Sequence, residues 1–444
     1  MIVLFCIIFV NNLLKYDLMQ VFLLFLLSAL SRMLPVNEYD QSYSDRVYSE
    51  KIKSVRLFRE GWNLSYPVMK LKSNDKLVLR FDLLGDHPET YYYTFIHCDK
   101  DWNPSDIFVN DYLEGFPENQ IEEFRPSFNT TVNYIHYSLI FPNERAELKL
   151  SGNYVLIVYP AHNQDHPVLT RRFIISEDAA GINVNLRRPQ MTADNNRGQQ
   201  ADFTVSFQGI SINDPLRNIY TSVLQNGRWD RLKTNLKADF VGNNELRYSS
   251  LSDKTIFPGG NEFRYFDIRS IRYKSEFISR IDYRFSNYHI MLQPSENREA
   301  RPYFYHQDFN GKYYVAVQEG QNHETDADYV WIYFSLPFRY PLTGGKVYVS
   351  GAFNGWNNDA VNRMSYNYEN EAYECSILLK QGWYNFEYEY LKDNSDEGTS
   401  EMFEGSHYET ENDYLIIVYY RNPRERYDRV IGSIVANTLN RISG

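Results

Sequence analysis

Apolar side chains recur at every second position through much of this chain. Leu77, Leu79, Phe81 and Leu83 alternate with Lys76, Arg80 and Asp82, the period of a strand with one face in a core. Gly85 and Pro88 break the run, and Tyr91 to Cys98 predicts a second strand. Asp99, Asp101, Asn103 and Pro104 follow it as turn chemistry, because Asx side chains bond their own backbone and proline fixes φ. The pattern predicts a hairpin with an exposed Trp102 loop at its tip.

A repeat organises the rest. Leu150-Ser151-Gly152-Asn153-Tyr154 opens the run Val155 to Tyr159, and Leu379-Lys380-Gln381-Gly382-Trp383-Tyr384 opens Asn385 to Tyr390. A Leu, a Gly and a Tyr before a strand match the corner of immunoglobulin-like sandwiches, where the Tyr hydroxyl bonds back to the backbone. Phe257 to Phe263 is a weaker third copy without the hydroxyl. Three sandwiches follow, assigned to residues 36–176, 182–318 and 325–420, with breaks at Ser176 to Gly181, Pro294 to Arg301 and Glu319 to Asp328. The tail 421–444 carries five Arg against Glu425 and Asp428, a local +3. Its Val430, Ile431, Ile434, Val435 and Leu439 fit one helical face, Gly432 weakens that helix, and a docking strand or a frayed end are the alternatives.

Composition sharpens the fold class. The chain has 444 residues, more than one core usually supports, and its 38 Tyr and 28 Phe favour half-buried pleated surfaces. The expected class is all-β: tandem immunoglobulin-like, early-set sandwiches after an N-terminal signal peptide. Net charge is 46 − 57 = −11, which removes the electrostatic case for nucleic acid. The first 31 residues hold only Lys15 and Asp17 as charges, and the Val21 to Leu27 run before Ser28, Ala29 and Ser31 reads as a signal cleaved near Ser31. The mature chain is then exported and without a transmembrane span. Cys6 leaves with the signal, and Cys98 shares a strand face with Ile96, so a buried free thiol is expected in place of a disulfide to Cys375.

Candidate chemistry is thin. Glu387 and Glu389 share a strand face at the spacing of an acid and base pair, which is also the spacing of any solvated face. His407, Glu409 and Glu411 fall on one predicted strand face, readable as a hard-metal site or a polar edge. His97 and Cys98 are adjacent on a strand and point apart, so they form no nucleophile and base pair. Asp99 and Asp101 serve the turn. No nucleophile elbow, phosphate loop or Cys-x-x-Cys is present, and no catalytic residue, metal or cofactor is assigned. Asn63 and Asn129 stand in Asn-x-Ser/Thr sequons.

The blocks Arg59-Glu60-Gly61-Trp62-Asn63-Leu64-Ser65-Tyr66-Pro67 and Tyr91 to Pro104, with its His97-Cys98-Asp99-Lys100-Asp101-Trp102-Asn103-Pro104 end, resemble the plug-protein family of the bacterial type IX secretion system, found in Bacteroidetes. That resemblance implies a non-enzymatic periplasmic protein, peripheral to the outer membrane, that binds and occludes the translocon barrel. It puts Trp62, Tyr66 and Trp102 forward for docking. Val347 to Trp356, then Met364 and Gly382-Trp383-Tyr384, resemble the early-set glycogen-binding modules. This second resemblance implies an alternative, an exported glycan-binding protein using Trp356, Trp383 and Asn412 to hold a carbohydrate. An integral outer-membrane barrel is disfavoured by a mean hydropathy of −0.52 and an Ile-Ser-Gly end.

Overall fold

Two buried tyrosines turn the chain at equivalent corners. The Tyr154 hydroxyl donates to the Leu150 carbonyl at 2.9 Å, and the Tyr384 hydroxyl to the Lys380 carbonyl at 2.5 Å. Burial raises the pKa of both phenols well above its ordinary value, so each keeps the proton that it donates. The glycine of each corner is required by close approach. A Cβ at Gly152 would collide with the His97 ring, and one at Gly382 with the Tyr314 carbonyl. The computed structural model describes residues 43–161, 163–190, 196–249 and 253–440. The expected signal segment and Cys6 lie outside them.

The first sandwich is built from residues up to Ser176. One sheet runs Arg46–Val47, Leu169–Ser176, Gly152–Pro160, Tyr91–Cys98, Asn119–Gln120, with Val68–Lys70 parallel to Leu169–Ser176. The facing sheet runs Ile52–Arg59, Leu77–Leu84, Tyr134–Phe141, Glu123–Pro126. Leu77–Leu84 and Tyr91–Cys98 therefore sit in opposite sheets and are not hairpin partners. Six residues separate them, and the chain uses these to cross the sandwich edge. Their inner faces meet in the core, where Phe81 stacks on Tyr137 at 4.9 Å and meets the edge of Tyr91 at 5.7 Å.

The second sandwich is discontinuous, which corrects the expected boundaries. One sheet is Gly181–Arg187, Gly198–Ser206, Glu245–Tyr248 and Phe240–Gly242, with Ile256–Pro258 also on Gly198–Ser206. The other pairs Ile219–Gln225 with Asp413–Tyr420 and Arg429–Asn437. The run assigned to the end of the third sandwich, and the tail read as a helical face, thus complete the second. Of the readings open for the tail, the strand is the one formed, and a β-bulge accounts for its helix-like pattern: Val418 faces Gly432 while Tyr419 faces Val430, so Val430 and Ile431 are both buried although adjacent. Phe257 is no corner. It lies within the short strand Ile256–Pro258, its ring edge against Tyr414 at 5.2 Å.

The third sandwich is inserted between these halves and claims residues that had been assigned to the second. Arg264–Asp267 and Tyr313–Val315 flank Gly382–Lys392, whose far half pairs with Gly345–Ser350. The facing sheet is Ile278–Arg284, Asn287–Leu292, Tyr329–Pro337, Ala372–Lys380, Ser365–Asn367.

An apolar layer joins the first and second sandwiches. Val155, Ile157, Tyr159 and Ile174 of one pack with Leu224, Leu415, Ile417, Tyr419 and Val430 of the other. Cys98 lies fully buried in this layer as a free thiol. The junction of the first and third is ionic. Asp82 and Lys380 are both 0% exposed, and the ammonium lies 2.6 Å from the carboxylate. Tyr329 and His136 donate to the same carboxylate at 2.7 and 2.6 Å, while Glu324 takes Arg56 at 2.5 Å and Arg80 at 2.6 Å. The polar stripe of Leu77–Leu84 thus faces a neighbouring sandwich. Burial lowers the Lys380 pKa even against Asp82 and Glu324. Burial also raises Asp82, but Lys380 and His136 more than reverse that and leave it below the ordinary aspartate value. The carboxylate direction governs the cluster, since Asp82 collects three donors.

Lys380→Met alone should cost about 3–5 kcal/mol, because it strands a buried carboxylate, whereas Asp82→Leu with Lys380→Met should recover most of that loss. Equilibrium urea unfolding measures both, and equal losses in single and double variants would refute mutual dependence. Asp82 and Glu324 both titrate below their ordinary values in the folded chain. The unfolded state therefore takes up their protons first, and their contribution, complete near pH 7, is lost as pH falls through the folded values. Unfolding free energy should hold down to roughly pH 5 and then drop, less steeply in the double variant.

Candidate functional site

Trp62 stands on a turn that bonds to itself. Its N–H donates to the Arg59 carbonyl at 3.0 Å, its carbonyl accepts from Ser65 N–H at 3.0 Å, and the Ser65 hydroxyl accepts from Arg59 N–H at 2.7 Å. Gly61 takes a φ of +81°, a left-handed conformation that a side chain would resist. The turn holds the indole outward, 61% exposed. Beside it lies a surface depression of about 520 Å³ lined by Phe58, Leu64, Val78, Arg80, Ile140 and Tyr314. Its walls come from the first sandwich and, through Tyr314, from the third. An exposed indole over an apolar floor, with Arg80 and Glu60 at the edge, suits a protein side chain from a partner.

Only Trp62 of the three expected docking residues is presented in this way. Trp102, expected at an exposed tip, is 4% exposed. Its ring meets Trp229 edge-on at 4.9 Å and lies under the Arg172 guanidinium at 4.5 Å. The turn carries the indole inward, into the apolar layer between the first two sandwiches. Tyr66 is a fastener: its hydroxyl donates to Asp413 at 2.9 Å, and Lys312 Nζ sits 3.7 Å from its ring centre. One side chain thereby touches all three sandwiches. Val78, Ile140 and Tyr314 were missed by pattern reading, and the available signal was an apolar Val78 on the polar stripe of its strand.

The carbohydrate constellation does not assemble. Trp356 is 8% exposed and covered by Arg228 at 4.3 Å and Phe263 at 5.7 Å. Trp383 is half-buried, stacked on Tyr265 at 5.0 Å with Arg269 at 5.6 Å, so its faces are occupied. Asn412 lies inside the second sandwich and is 3% exposed; it accepts from Asn226 at 2.6 Å and donates to Gln199 and Gly259 at 2.9 and 2.8 Å. A sugar ring needs an open aromatic face, and these three residues offer none.

The remaining candidates are structural. Glu387 and Glu389 are buried against Arg228, at 2.5 and 2.7 Å, and Arg231 reaches Glu389 at 2.8 Å. Burial raises Glu387 above the ordinary glutamate value against both arginines, whereas these arginines overcome burial at Glu389 and lower it. The pair locks the third sandwich to the second and meets no open cleft. His407, Glu409 and Glu411 lie on a turn, not a strand, where Asn437 donates to Glu411. Among the described residues no group of three or more His, Cys, Asp or Glu is arranged to hold a metal. His97 is buried between Ser105 Oγ at 2.8 Å and the Ser151 carbonyl at 3.1 Å, and burial takes its pKa to about 4. Burial takes the Cys98 thiol to about 12, which leaves it inert.

The comparisons agree with this body. Residues 52–177 match the model for the type 9 secretion system plug protein 1st domain. No curated protein matches the chain. A solved structure of a hypothetical protein from Parabacteroides merdae ATCC 43184, at 2.30 Å resolution, is 30% identical. The likeness covers 89% of this chain and 99% of that one, with a TM-score of 0.86. Described helices include none long and apolar enough to cross a membrane. With the fold, the Trp62 block and the His-Cys-Asp block all in place, the chain belongs to the type 9 secretion system plug protein family, and its work is tied to that envelope machinery.

Proposed function

We propose that the protein is a non-enzymatic stopper that docks on the periplasmic side of the outer-membrane translocon barrel and occludes it while no cargo passes. The observation that carries this is the fusion of three sandwiches into one body through an apolar layer and two buried ionic junctions. A stopper must not deform under thermal motion, and sandwiches joined in this way meet that need. The Trp62 ledge supplies an anchor of the kind that dominates protein interfaces. Release is part of the task. A nanomolar complex formed at about 10⁶ M⁻¹s⁻¹ would dissociate at about 10⁻³ s⁻¹, so a cargo or partner that competes for the ledge opens the channel.

Trp62→Ala should reduce recovery of the barrel by about 30-fold in pull-downs of tagged protein from native outer membranes, the effect of a hot-spot truncation near 2 kcal/mol. Its unfolding free energy should stay within about 0.5 kcal/mol of the parent, since an exposed side chain contributes little to folding. Unchanged recovery removes Trp62 from the interface. Failure of the parent protein to retain any barrel above an unrelated control removes the stopper itself. Trp102→Ala should instead destabilise the chain by about 3–5 kcal/mol, read in the same unfolding assay.

A further inference from the structure

All three sandwiches contribute to one pocket of about 140 Å³. The first brings Asp45, Arg56, Arg171 and Arg172; the second brings Asn226 and Trp229; the third brings Lys312 and Trp356. Since a water takes about 30 Å³ of liquid, the space holds a group the size of phosphate. We propose that this pocket binds a small oxyanion of phosphate size, gripped by Arg56, Arg171 and Lys312.

Two observations carry the assignment. Arg56 is 6% exposed, and although its Nη2 donates to Glu324 at 2.5 Å, its Nε and Nη1 have no partner. Buried guanidinium donors without acceptors are costly, and an oxyanion satisfies two of them at once in the planar geometry that arginine offers. The second observation is the charge count. Four cations line the pocket, and three carboxylates answer them: Asp45 within it, Glu324 on Arg56, and Asp413 at 3.5 Å from Lys312. One positive charge is left over in a chain whose net charge is −11. Burial lowers both Arg171 and Arg172 below the ordinary arginine value even against Asp45, whereas Glu324 and Asp82 outweigh burial at Arg56 and raise it. An anion held there would bridge the three sandwiches, and this site stands independently of what the Trp62 ledge binds.

Inorganic phosphate and sulfate, compared with chloride at matched ionic strength, test the site by thermal unfolding and titration calorimetry on the whole chain. Phosphate should raise the unfolding temperature in proportion to the logarithm of its concentration above Kd, and chloride should not. Arg171→Gln should weaken phosphate at least tenfold. Asp45→Asn should tighten it several-fold, because the amide oxygen still accepts the Arg172 N–H now bonded to Asp45 at 2.6 Å while one negative charge is gone. An equal response to chloride, or a phosphate Kd unmoved by Asp45→Asn, overturns the site. If Arg171→Gln does not fold, the direction of the Asp45→Asn change decides alone.

Discussion

The strand Gly152–Pro160 is buried on both faces, and the rest of the architecture follows from that constraint. Tyr154, Leu156 and Val158 fill the first core, while Val155, Ile157 and Tyr159 point the other way into the layer shared with the second sandwich. Asp413–Tyr420 mirrors it, with Tyr414, Ile416 and Val418 in the second core and Leu415, Ile417 and Tyr419 in the shared layer. Each buried aliphatic or aromatic side chain in such a layer contributes about 1.5–3 kcal/mol relative to exposure. Separating the two sandwiches would expose all of them together, so the first and second move as one.

Apolar contact is strong but does not by itself define a register, because a slipped layer still buries carbon. The ionic junctions remove that freedom. Asp82 has Lys380, His136 and Tyr329 at hydrogen-bond distance, and Arg228 has Glu387 and Glu389. A shift of a few ångströms would leave a buried charge unpaired at a cost of several kcal/mol. Asp328 adds a geometric pin, its carboxylate accepting the N–H groups of Thr131 and Val132 at 2.7 and 3.1 Å across the same junction. The acidic segment Glu319 to Asp328, read from sequence as a break between modules, is therefore the segment that closes them together.

How much of this was legible depends on whether a signal was local. The two tyrosine corners could be read from a Gly-x-Tyr pair with a Leu two or three residues before the Gly, because the bond that makes a corner spans only four residues. The free Cys98 was legible from its strand face. The discontinuity of the second sandwich was not, since the pairing of Ile219 with Tyr420 joins positions two hundred residues apart and leaves no period in the sequence. Trp102 failed for a related reason: Asp99, Asn103 and Pro104 do make a turn, but whether a turn's indole points outward is decided by the neighbouring sandwich that it meets. Glu387 and Glu389 alternate as a solvated face would, and it is Arg228 and Arg231, from another module, that make them a lock.

The tryptophans divide by what covers them, and the division bears on function. Trp102, Trp356 and Trp383 each lie beside an arginine within 6 Å of the ring centre. Only the Trp356–Arg228 pair crosses between sandwiches, where a desolvated contact of this kind contributes up to about 2 kcal/mol; in all three cases the covered indole face is closed to a ligand. The residues put forward by the glycogen-binding resemblance therefore present no open aromatic face: the motif survives as a turn whose indole is covered by Arg228 and Phe263. Trp62 is 61% exposed on a rigid turn, so its large apolar surface adds little to folding and stays available for association. An exposed single aromatic is ordinary on any protein. Its place beside a depression spanning two fused sandwiches gives it a different standing, because a partner that fills that depression meets a surface whose geometry is already set and loses little entropy in ordering it.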